Sequence, residues 1–213
     1  VSDSTDALVA RLARDATPVR RLGSPMRRAL TWLGIIGGLG AAAILTFSNL
    51  GEFAARARHP ELIVELIGTL GTGILSTIAA FHLSVPDRSP RWTLLPLPTL
   101  ALWLAGSGSG CIHEWLVLKR GAWSLGESGH CFLFIIGFGL PLSVLLLAAL
   151  RRARPLAPLP VAVTGGLGAA ALAAFLLQFF HPFDITFVDL GVHAFAVALI
   201  VVCCGTGGER LIQ

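Results

Sequence analysis

The segment GCIHEWLVLKRGAWSLGESGHC holds two Cys-His pairs: His113 lies two residues after Cys111, and Cys131 directly follows His130. Thiolate and imidazole together are soft-to-borderline ligands suited to zinc, copper(I) or cadmium. Two thiols separated by 19 residues can also close a disulfide, which would stabilise the loop by ~3 kcal/mol through loop entropy. A third use is to sense an oxidant.

A second polar stretch, FFHPFDITFVDLGVH, carries His181, Asp184, Asp189 and His193. Asp189 and His193 are four apart, so on a helix they share a face, and the carboxylate can orient the imidazole. His59 and Glu65 sit together near a third polar segment. The spacing spells no familiar enzyme: C-x-x-C, H-x-x-x-H, HExxH and a Ser-His-Asp constellation are all missing.

The elements that must position these groups are membrane spans. Of the 213 residues, 54% are hydrophobic and 13% charged, and the mean hydropathy is +0.77. A soluble domain carries about twice that share of charge. Six apolar runs of near-helical span length appear: 29–50, 66–85, 92–112, 132–150, 156–180 and 190–208. They do not alternate with period two, so an all-α integral membrane protein with six transmembrane helices is predicted. Pro96 and Pro98 predict a kink near the start of the third run, and Pro141 falls inside the fourth. The first run follows 28 polar and basic residues and reads as an anchor rather than a cleaved signal. Glycine clusters at 34–40, 68–73 and 165–168 are expected to let helices pack closely, and a Gly-rich span could pair two copies as a homodimer.

Charge sets the orientation. Arg11, Arg14, Arg20, Arg21, Arg27, Arg28, Arg88, Arg91, Arg151, Arg152, Arg154 and Arg210 fall on one side of a six-span topology; only Arg56, Arg58, Lys119 and Arg120 fall on the other. The positive-inside rule places both termini in the cytoplasm, with residues 1–28 as a cytoplasmic tail, 29–208 as the membrane domain and 209–213 as the C-terminus. Outer loops fall near 51–61, 107–131 and 181–188. The net charge of +4 is this bias, so no nucleic-acid partner is implied. Cys111 and Cys131 then face an oxidising compartment if the host is a bacterium. Cys203 and Cys204, near the inner surface, read as small apolar packing residues.

Within the tail, Leu8, Val9, Leu12, Ala13 and Ala16 fall on one face of a helix predicted over 4–16, with Arg11 and Arg14 opposite. Asp3 or Ser4 can cap its start, and Pro18 stops it. Such a stripe either lies on the bilayer or docks on a soluble partner.

PVRRL at 18–22, six spans, VPDR after the second, a Cys opening the fourth, RRARPLAPLP before the fifth, and His181-Pro182 followed by His193 occur together and in order. In this the chain resembles the NrsF-like membrane anti-sigma factors, which restrain extracytoplasmic-function sigma factors. The resemblance spans the whole chain. It implies a protein of the bacterial inner membrane, not an enzyme, whose tail (Leu8, Val9, Leu12, Arg20 and Arg21) holds a sigma factor at the lipid bilayer. It also implies that outward-facing cysteines relay metal or oxidative stress and release that partner. Cys131 corresponds to the thiol opening the fourth span. The family's other thiol precedes the proline between the last two spans, where this chain has His181. The chemistry can then be kept by a thiolate-imidazole metal site of Cys131, His181 and His193, or by Cys111 as the alternative thiol. Zinc, copper or cadmium would be a transient inducer, and no resident cofactor is required. The competing expectation is a membrane thiol oxidoreductase or metal transporter. The missing C-x-x-C and the lack of ligands at mid-membrane count against it.

Overall fold

A computed structural model describes residues 2–16, 22–113, 116, 125–180 and 187–212. The described residues are helical, in the order α1 (Ser2–Asp15), α2 (Pro25–Phe47), α3 (Leu50–Arg56), α4 (Pro60–Leu83), a 3₁₀ turn (Pro90–Leu94), α5 (Leu97–His113), α6 (Leu125–Arg151), α7 (Pro158–Leu177) and α8 (Phe187–Ile212).

The helix starts follow local chemistry. Ser24 caps α2 by accepting from the Arg27 amide at 3.3 Å, with Pro25 in the first turn. Asn49 caps α3 by accepting from the amides of Gly51 and Glu52 at 3.2 and 3.3 Å. Pro60 and Pro158 occupy the first turns of α4 and α7, where a missing N–H costs nothing.

Among the described residues five helices, not the predicted six, are long and apolar enough to cross a membrane: Pro25–Phe47, Pro60–Leu83, Gly129–Arg151, Pro158–Leu177 and Leu190–Gly208. The third predicted run is the exception, and its prolines are the reason. Residues 92–112 divide between the 3₁₀ turn and α5. The α-helical part has 17 residues, below the ~20 that cross a hydrocarbon core of ~30 Å. His82, at the end of α4, stacks on Trp92 with ring centroids 3.9 Å apart and an 11° tilt, fixing the 3₁₀ turn against the bundle.

Helices α4 and α7 form the centre. α4 packs on α5 and α7, α7 on α6 and α8, and α6 on α8, while α2 lies mainly against α4. Small residues permit these approaches. A Cβ on Gly68 would stand 2.6 Å from the Trp103 Cα, one on Gly168 2.9 Å from the Thr77 hydroxyl, and one on Gly166 2.8 Å from the Cys204 Cβ. Two of the three glycine clusters therefore sit at helix contacts. The first does not: Gly34, Gly37, Gly38 and Gly40 have open space where a side chain would go. Phe81, Ile135, Leu146, Leu150, Val161 and Ile200 fill the core. Cys204 is buried as expected of a packing residue, whereas Cys203 is exposed.

Alternating helix directions give the bundle two ends. The tail end gathers the start of α2 and the ends of α4 and α6. The far end gathers the starts of α4, α6 and α8 and the ends of α5 and α7.

Candidate functional site

At the far end, α6 begins at Leu125, so Cys131 is two turns inside a helix rather than in a loop. It is 1% exposed and belongs to the hydrophobic core with Ile135, Leu177 and Ala196. Cys111 and His113 lie on the last turn of α5. The segment between the cysteines is therefore helical at both its ends, not a polar loop over 107–131. His130, beside Cys131, is exposed.

Phe132 of α6 stacks on Phe195 of α8 at 6.0 Å. That contact sets the two helices at a common height, with Cys131 directly before Phe132 and half-buried His193 two residues before Phe195. Asp189 is on α8, one turn before His193. His181 and Asp184, and the side chains of Cys111, His113 and Asp189, lie outside what is described. Among the described residues no group of three or more His, Cys, Asp or Glu is arranged to hold a metal ion.

The far end also holds a polar cluster that sequence reasoning did not find. Helix α4 starts at Pro60, so Glu65 is inside it and buried. Its carboxylate Oε1 accepts from Gln178 Nε2 at 3.0 Å. Trp103 and Ser107 of α5 face the same carboxylate, the Ser107 hydroxyl outside strict hydrogen-bond geometry. Gln178 is also the C-cap of α7, and its backbone carbonyl accepts from Arg56 Nη2 at 3.4 Å. Arg56 stands 5.8 Å over the Phe53 ring, which stacks on Phe179 at 4.3 Å. Burial lowers the Arg56 pKa, and Glu52 opposes the shift. One residue, Gln178, thus joins α3 through its backbone carbonyl and α4 through its side chain to the end of α7. The signal available beforehand was a lone glutamine in the apolar stretch FLLQFF. A buried ionisable group in a membrane bundle is costly and marks function by default.

The tail lies apart from this end. Helix α1 begins at Ser2, so Asp3 and Ser4 are inside it rather than capping it, and it ends at Asp15. Leu8, Val9 and Leu12 are 56%, 58% and 61% exposed. Arg20 and Arg21 lie outside the described residues.

A family model described as NrsF, negative regulator of sigma F, matches residues 12–213. The chain belongs to this family. As an NrsF family member it is a negative regulator with a sigma factor as its partner. The match takes in the entire helical bundle and begins inside α1, so Leu12 falls within it and Leu8 and Val9 precede it. No curated protein and no solved structure matches.

Proposed function

We propose that this NrsF family protein is a membrane-bound anti-sigma factor of the bacterial inner membrane. Its tail sequesters an extracytoplasmic-function sigma factor and releases it when a metal or oxidant acts at the far end. The family match over 12–213 carries the reading. Supporting it is the tail itself, a helix whose apolar stripe is left exposed by the described residues. Such a stripe docks in a groove on a soluble partner, and Arg20 and Arg21 extend the contact.

In this reading the 3₁₀ turn and α5 together make the sixth span, and both termini are cytoplasmic. Cys131 is the sensing thiol. Cys111 is the second thiol, or His181 and His193 complete a site for zinc, copper or cadmium around Cys131. The decisive experiment deletes residues 1–16 and measures transcription from a promoter of the partner sigma factor. Transcription should rise without any stress, with the bundle still inserted. Transcription that stays repressed would remove the tail from the mechanism.

A further inference from the structure

Among the described residues α1 does not pack extensively on any bundle helix, and α2 is the element that follows it in the chain. Helix α2 is largely exposed along its length, and Ala29 is its one buried residue. It is tied to the bundle at its first turn. There Arg28 Nη2 donates to the Ala149 carbonyl of α6 at 2.8 Å, and its guanidinium lies 5.1 Å over the Phe81 ring of α4. Ala149 is in the last turn of α6, where carbonyls have no helical donor left, so Arg28 caps that helix and complements its dipole.

The same helix holds Cys131. From Cys131 to Ala149 is 18 residues, or ~27 Å of continuous helix at 1.5 Å per residue. Pro141 stands between them, inside α6. It removes the N–H that would reach the Gly137 carbonyl and gives the helix a point at which to bend.

We propose that Arg28 is the coupling residue. It reads the position of the inner half of α6, and through it that of Cys131, and passes it to α2 and the tail. This rests on the sensing role proposed above for Cys131. The tie is confined to a single carbonyl and a single ring. Among the described residues no carboxylate pairs with Arg28 and no acceptor meets its Nη1, and Arg152 is near enough to repel it. A tilt of α6 about Pro141 displaces that carbonyl, and Arg28, held to it, carries the displacement into the first turn of α2.

The test uses the full chain in cells carrying a reporter for the partner sigma factor, with cadmium chloride and hydrogen peroxide as separate stimuli. Arg28→Gln should keep repression at rest and lose induction, and Arg28→Lys should restore part of it. Pull-down of the sigma factor by unstressed Arg28→Gln protein should match the wild type, which a merely structural defect would not leave intact. Wild-type induction in Arg28→Gln would overturn the proposal, and so would constitutive release, which would make Arg28 part of the grip itself. If Arg28→Gln protein does not accumulate, Phe81→Leu, which removes the ring alone, is read by the same outcomes. A wild-type chain that responds to neither stimulus sinks the sensing reading, and a chain without residues 1–16 that still represses sinks the tail reading. Either result is distinguishable from loss of coupling.

Discussion

Glu65 and Gln178, 113 residues apart in sequence, share a buried 3.0 Å hydrogen bond that joins the start of α4 to the end of α7. Removing one partner leaves the other buried with this hydrogen bond unmade. Glu65→Leu and Gln178→Leu should each destabilise the bundle by about 1–3 kcal/mol. The double variant should cost less than the sum, because neither member of the pair is then left facing an apolar replacement. Thermal unfolding of the four proteins in detergent gives the coupling. Strict additivity would show that the bond contributes nothing.

That pair also marks where the sequence stopped being legible. Absence of charge located most of the spans, because hydrocarbon excludes charge whatever the tertiary context. It misplaced the start of α4: counting apolar residues begins that span after Glu65, whereas Pro60 starts the helix and carries Glu65 inside. The partner of a buried carboxylate is a long-range fact, and no local pattern names Gln178. Cys131 was misread for a related reason. Its polar neighbours, Glu127 to His130, resemble a loop, yet α6 runs through them from Leu125. In the third run the prolines were visible, and what they did to its α-helical length was not.

Glycines of similar appearance should respond in opposite ways. A Cβ at position 68 would meet the Trp103 backbone at 2.6 Å, so α4 and α5 would have to separate. Gly68→Ala should destabilise by about 1–3 kcal/mol through overpacking. Gly37 faces open space, and Gly37→Ala should stabilise the helix by up to ~1 kcal/mol. Thermal shifts of opposite sign in one detergent are the expected result.

Burial of Cys131 sets which reagents can reach it. At 1% exposure it should react slowly with a bulky maleimide in native membranes and quickly once detergent has unfolded the bundle, whereas exposed Cys203 should not need unfolding once the reagent has access. Mass spectrometry of labelled peptides before and after unfolding checks this. Cys131→Ser keeps the size and should leave insertion intact while blunting the response to cadmium or peroxide. An undiminished response would move the sensing chemistry elsewhere.

Leu8, Val9 and Leu12 offer the cleanest separation of binding from folding. All three are more than half exposed on α1, so replacing them should change the stability of the bundle by less than about 0.5 kcal/mol. A partner that buries the stripe would lose ~1.5–3 kcal/mol for each large side chain removed from the contact. Leu8→Asp and Leu12→Asp should therefore abolish capture of the sigma factor by membranes that contain normal amounts of the protein. Arg11→Gln, on the opposite face, should have a smaller effect that shrinks further at high salt, because exposed charges are screened. Equal loss from both faces would mean that the helix is enclosed by its partner rather than docked along one stripe.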